Sequence, residues 1–90
     1  KGDFQSVKDK EIINAYKILA SEGVFCEPAS AASVAGLIKN KNRIKKDSKI
    51  VCILTGNGLK DPDCAIKNND AIFKQNIEPS LNNISKILGY

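Results

Sequence analysis

Ile50-Val51-Cys52-Ile53-Leu54, running directly into Thr55-Gly56-Asn57-Gly58-Leu59-Lys60-Asp61-Pro62, is the stretch that decides how this chain is read. The first five residues are apolar at every position, preceded by polar sequence and followed by glycine. Such a two-sided run predicts a central strand covered on both faces. Thr55 is then the last residue of the strand, its hydroxyl held beyond the carboxyl end, where open α/β sheets bind their ligands. Two glycines two positions apart permit turns that a Cβ would obstruct and allow close approach to a planar or anionic group.

Upstream of that stretch, Glu11 to Ala20 carries Ile12, Tyr16, Leu19 and Ala20 on one face at helical spacing, with Ile13 beside them. Asp9 is the expected N-cap, with a capping box from Ser6 to Asp9 as the alternative one turn earlier, and Gly23 is the expected left-handed stop. Val24-Phe25-Cys26 reads as a short extended piece that Glu27-Pro28 breaks. Residues 29–38 then form a helix of small residues up to Gly36. A helix so lacking in bulk permits close approach of a strand, another helix or a ligand, with packing on a sheet the expectation. Helix, short strand, helix, strand is the rhythm of a parallel α/β sheet. Downstream, Asp70 to Phe73 reads as a helical turn or a short extended piece. Pro79-Ser80 opens a terminal helix with Leu81, Ile84, Ile87 and Leu88 on one face and Gly89 at its end.

Composition narrows the chemistry. The 90 residues contain no His, so Ser–His and Cys–His nucleophile pairs, imidazole bases and His-ligated metals are all excluded. Net charge is +4, yet six of the 14 basic residues fall between Lys39 and Lys49; the remainder of the chain carries 8 basic and 9 acidic residues. The excess is therefore one solvated connection. With a single arginine, Arg43, and no interleaved aromatics, it does not read as a nucleic-acid surface. Cys26, Cys52 and Cys64 show no CxxC spacing and are expected to be reduced, as in a cytoplasmic protein. No apolar run approaches the ~20 residues of a membrane helix. The chain also contains no Met, so Lys1 is not expected to be a translation start.

The Gly56–Gly58 turn is not a dinucleotide fingerprint, because Asp61 stands where a GxGxxG pattern needs glycine, and it is not a P-loop. Taken with its flanks, however, Leu54-Thr55-Gly56-x-Gly58-Leu59-Lys60-Asp61-Pro62 closely resembles the C-terminal signature of the threonine synthase family. Glu22-Gly23-Val24-Phe25-Cys26-Glu27-Pro28-Ala29-Ser30-Ala31-Ala32 resembles that family's EGxFxEPASAA segment, at a fitting distance upstream. Val7-x-Asp9-x-Glu11-Ile12 is similar to the family's helix start, with Lys8 where a Ser or Thr cap is usual. The resemblance spans roughly residues 5–64, and the last 25 or so residues show no matching motif.

The resemblance implies an α/β fold, the C-terminal portion of a three-layer pyridoxal-phosphate enzyme of fold type II (tryptophan synthase β-like), with parallel strands and covering helices. Residues 1–90 would be a single C-terminal segment, incomplete without upstream sequence. The implied parent reaction converts O-phospho-L-homoserine and water to L-threonine and phosphate, by γ-elimination followed by β-addition of water. The parent is expected to be a cytoplasmic homodimer with neither a nucleic-acid nor a membrane partner. By the same resemblance Thr55 is the cofactor-binding residue, its hydroxyl bonded to the pyridine nitrogen. A neutral hydroxyl does not force a proton onto that nitrogen as a carboxylate would. Ala29–Ala32 is expected near the same ring edge, with Ser30 as a candidate second contact.

Lys60 follows a glycine-rich turn but does not match the motif of the family's cofactor-bearing lysine, which lies far upstream. Lys60 and Asp61 are read as residues that hold the loop. The cofactor-bearing lysine, the Asn near the cofactor's O3′ and the glycine-rich phosphate cup all belong to segments this chain does not contain. The chain alone is therefore expected neither to hold pyridoxal phosphate tightly nor to turn over. Two alternatives remain open: another fold type II enzyme, such as a threonine or serine dehydratase or a cysteine synthase, or a free-standing α/β module using Gly56–Gly58 as an anion nest.

Overall fold

Residues 2–68 and 78–89 are described by the computed structural model. The amphipathic pattern near the start produces α1, Asp9–Ser21. Lys8, not Asp9, stands at the N-cap, with extended backbone. Lys8 has no side-chain acceptor, so the stop is made by the other half of a capping box: the Glu11 carboxylate accepts from the Lys8 N–H at 2.6 Å. Asp9 and Glu11 then lie in the first turn, next to the positive end of the helix. At the other end Gly23 takes φ +83, the Gly23 N–H donates to Ala20 O (3.0 Å) and the Val24 N–H to Leu19 O (2.9 Å). That pair of bonds is a Schellman stop, and it requires the left-handed residue that glycine supplies.

Glu27 is extended ahead of Pro28, and Pro28–Ala31 forms a 3-10 turn that runs into α2, Ala32–Lys39. The small residues here pack against a helix rather than a sheet. Ala31 and Ala35 are buried together with Ala15 and Tyr16 of α1 and with Cys26, and Val7, Ile12, Leu19, Val34, Leu54 and Ala65 pack around them. Alanine at these contact positions lets the two helix backbones approach closely. The basic connection after α2 is an exposed path containing a 3-10 turn at Lys41–Arg43. Lys39 at its start donates to Ser6 O at 2.7 Å, tying the N-terminal segment to α2.

Residues 50–54 differ from the expectation of a covered strand. Burial alternates with a period of two: Cys52 and Leu54 are partly buried, while Val51 is 88% and Ile53 73% exposed. The alternation is that of an extended segment, but no β-strand is assigned among the described residues. The only pairing there is an isolated antiparallel bridge between Cys26 and Asn57. One side of the segment rests on the α1–α2 unit, where Ser33 Oγ donates to Ile53 O at 3.3 Å. Nothing in the described chain covers the other side.

Beyond the glycine turn lies α3, Pro62–Asn68. The terminal helix is α4, Leu81–Leu88, with Ser80 Oγ accepting from the Asn83 N–H (3.2 Å) and Gly89 left-handed at φ +79. Leu81, Ile84 and Leu88 of α4 are exposed. The expected element at Asp70 to Phe73 falls outside the described residues. No helix among those described is long and apolar enough to cross a membrane.

Burial pushes the Cys26 thiol up from its ordinary value, with the Glu27 charge adding to the effect and a backbone hydrogen bond opposing it. It also pushes up the Tyr16 phenol, with Cys64, Cys26 and Asp61 adding. All three cysteines are free thiols.

Candidate functional site

The two motif blocks, separate in sequence, meet in one loop cluster that brings Ser30 to Gly56, 26 positions on. The Cys26–Asn57 bridge is made by two backbone bonds, Glu27 N–H to Gly56 O (3.0 Å) and Gly58 N–H to Phe25 O (3.2 Å). Both glycines have another residue where a Cβ would stand. A Cβ on Gly56 would coincide with the carboxyl end of Glu27, and one on Gly58 would coincide with the Phe25 ring. Neither glycine has a positive φ, so the requirement at both is close approach and not backbone conformation.

Ser30, 4% exposed, lies at the centre of the cluster. Its Oγ accepts from the Gly56 N–H at 2.7 Å, stands 3.3 Å from Thr55 Oγ1, and has Gly56 O at 3.4 Å. Ser33 Oγ, whose single proton lies within reach of Ile53 O, also has Ser30 O at 3.2 Å. Thr55 is exposed at the end of the extended segment, so its hydroxyl has a partner on the protein side at Ser30 while its residue remains accessible. The structure thus brings Thr55 and Ser30 together, and Ser30 meets the backbone of Gly56 as well as the Thr55 side chain.

Lys60 and Asp61 have structural contacts. Asp61 Oδ1 accepts from the Cys64 N–H at 3.1 Å, capping α3 with Pro62 at its first position. Lys60 Nζ lies 4.0 Å from Glu27 Oε1, in a pair whose lysine is exposed and whose glutamate is only partly so. Asn57 caps the short 3-10 turn Gly58–Lys60 by accepting from the Leu59 N–H at 2.9 Å.

The loop's donors are largely committed to the protein. The Gly56 N–H is held by Ser30, that of Gly58 by Phe25 O, that of Leu59 by the Asn57 side chain and that of Lys60 by Asn57 O. An anion nest needs such groups free, so the turn is poorly suited to cradling a phosphate. Sequence reasoning singled out Thr55 but not the seating of Gly56 and Gly58 on Glu27 and Phe25. The signal that was available is the coupling of two blocks each rich in glycine or small residues: where two backbones must nearly touch, both sides give up bulk.

These features, a hydroxyl presented at the end of an extended apolar segment and backed by a small-residue helix start, agree with the similarity of the sequence to known proteins. The profile of the family described as pyridoxal-phosphate dependent enzyme matches residues 1–56, and the chain belongs to that family. Its relatives include threonine synthases from several organisms. That of Synechocystis sp. is 54% identical over 90 residues, covering 99% of this chain and 24% of the relative. That of Methanocaldococcus jannaschii is 49% identical over 90 residues, 97% of this chain and 22% of the relative. For Mycobacterium tuberculosis the identity is 48% over 82 residues, 88% of this chain and 23% of the relative. The similarity to the Synechocystis protein extends through the last 25 residues, past the point where the motifs end. This chain spans less than a quarter of the length of these curated relatives.

Proposed function

We propose that this chain is the C-terminal segment of a threonine synthase, a pyridoxal-phosphate enzyme that converts O-phospho-L-homoserine and water to L-threonine and phosphate. In this reading residues 1–90 form part of the fold type II domain. Residues 50–54 become a strand of its parallel sheet once the remainder of the polypeptide covers Val51 and Ile53. Their high exposure supports this, because an extended apolar face left in water is an edge that a stable sheet would cover.

The observation that carries the proposal is the placement of Thr55: an accessible threonine at the end of that segment, its hydroxyl backed by Ser30 and its following residue held by two hydrogen bonds, from its own N–H to Ser30 Oγ and from the Glu27 N–H to its carbonyl. The donor set suits the cofactor. An aromatic ring nitrogen is an acceptor, a hydroxyl can donate to it, and among the described residues no carboxylate is hydrogen-bonded to Thr55 that would favour the protonated form of the ring nitrogen. When bound, pyridoxal phosphate supplies the electron sink for the carbanion chemistry. The part of this segment is to orient the ring through Thr55. Glu27, Phe25 and Ser30 hold the turn, and Ala29–Ala32 leave room beside it.

The test uses the complete polypeptide carrying this segment. Thr55→Val removes the hydroxyl at nearly constant volume and is expected to weaken cofactor binding about twofold to tenfold, the strength of one neutral hydrogen bond. Thr55→Ser retains it. A Thr55→Val protein with unchanged cofactor affinity and unchanged formation of threonine from O-phospho-L-homoserine would overturn the assignment.

A further inference from the structure

Either hydroxyl of the Ser30–Thr55 pair could donate to the other, and the surroundings favour one direction. Ser30 Oγ has one proton and two lone pairs, and the Gly56 N–H engages one lone pair at 2.7 Å. Two acceptors lie within reach of the Ser30 proton: Thr55 Oγ1 at 3.3 Å and Gly56 O at 3.4 Å. Gly56 O already accepts from the Glu27 N–H at 3.0 Å. Thr55 Oγ1 is nearer, and it has no other hydrogen-bond partner among the described residues. Donation from Ser30 to Thr55 occupies a Thr55 lone pair and leaves the Thr55 proton pointing away from the protein.

We propose, resting on the reading of Thr55 as the ring-nitrogen contact, that Ser30 is a positioning residue that makes Thr55 a hydrogen-bond donor. The chain then runs one way, from the Gly56 N–H through the Ser30 hydroxyl and the Thr55 hydroxyl to an acceptor outside. Such a series polarises each member in the same sense. It favours the unprotonated ring nitrogen, which takes the free Thr55 proton, over a protonated one, which could engage only the remaining Thr55 lone pair. Ser30 acts from within the protein: it is buried and reaches the ring only through Thr55. The role differs from that of a second cofactor contact, which would require the Ser30 hydroxyl itself to be accessible.

The experiment is a double-mutant cycle in the complete polypeptide, loaded with pyridoxal phosphate carrying 15N in its ring. Cofactor dissociation constants and the ring-nitrogen resonance are measured for Ser30→Ala, Thr55→Val and the pair. Ser30→Ala is expected to weaken binding about twofold to tenfold, to move the ring-nitrogen resonance, and to add no loss on top of Thr55→Val. Losses that add in the double variant, or a resonance moved by Thr55→Val and left in place by Ser30→Ala, overturn the role of Ser30 while Thr55 keeps its own. A Thr55→Val protein with unchanged affinity and resonance overturns both. If Ser30→Ala does not fold, Ser30→Cys, which keeps similar volume but donates weakly, carries the same cycle with the same outcomes.

Discussion

Glu27 and Gly56 occupy one another's space: the Glu27 N–H donates to Gly56 O at 3.0 Å, and the Glu27 carboxyl end fills the position a Cβ on Gly56 would take. Gly58 stands in the same relation to the Phe25 ring. The two contacts differ in how easily the obstructing group can leave, and that difference is measurable.

Gly56→Ala is expected to be the milder change. The Glu27 side chain is flexible and partly exposed, and its pair with Lys60 at 4.0 Å is a surface contact. Swinging it out loses at most about 1 kcal/mol. Gly58→Ala must displace a rigid ring together with the Phe25 backbone that bonds Gly58, and is expected to destabilise by about 1–3 kcal/mol. Thermal or denaturant melts rank the two, and a larger loss for Gly56→Ala would contradict the packing described.

Asp61 is expected to matter as a helix cap and not as a charge. Asp61→Ala removes the acceptor for the Cys64 N–H and should destabilise by about 0.5–2 kcal/mol, whereas Asp61→Asn keeps an acceptor and should retain nearly full stability. Equal effects of the two substitutions on activity, with stability unaffected by either, would instead point to a role for the carboxylate in the reaction.

Alkaline pH is expected to weaken the fold in two stages. Cys26 and Tyr16 both have folded values raised above their ordinary ones, 9.0 for the thiol and 10.0 for the phenol, mainly by burial. The folded state therefore retains protons that the unfolded state releases. The associated stability is intact below the ordinary values and falls as pH rises through them towards the raised ones. Melting temperature should drop first above about pH 9 and further above about pH 10. Cys26→Ala should flatten the first stage and Tyr16→Phe the second, each relative to its own value at neutral pH.

Lys60 is expected to carry no cofactor. Borohydride treatment of the complete polypeptide with pyridoxal phosphate, followed by peptide mapping, should leave Lys60 unlabelled, and Lys60→Ala should label as fully as the parent. The 90-residue chain titrated alone should show no stable visible absorbance from bound cofactor. A label on Lys60, or a stable band with the isolated chain, would reverse that expectation.

The helix stops show where local sequence is enough. The left-handed conformations of Gly23 and Gly89, the break at Glu27-Pro28 and the Ser80 cap all follow from the chemistry of one or two residues, and the structure shows each of them. The start of α1 was legible only approximately. Whether Lys8 or Asp9 caps it depends on the Glu11 side chain turning back to Lys8, a choice of rotamer that residue preference alone does not reveal. The partner of the small-residue helix was not legible either. Alanines announce close approach without saying to what, and here it is to α1.

The amino-acid sequence by itself determined the family and singled out Thr55, because the two motif blocks are contiguous strings whose residue types survive any ambiguity about packing. It also determined that residues 50–54 are apolar on both sides, a property of composition that needs no coordinates. Only the tertiary structure decided that Ser30 meets Thr55 and Gly56, that Glu27 and Phe25 fill the spaces beside the glycines, and that Val51 and Ile53 remain uncovered within the described chain. Hydrogen-bond partners across 25 residues depend on distances that the intervening helix and connection set together, and no local preference encodes them.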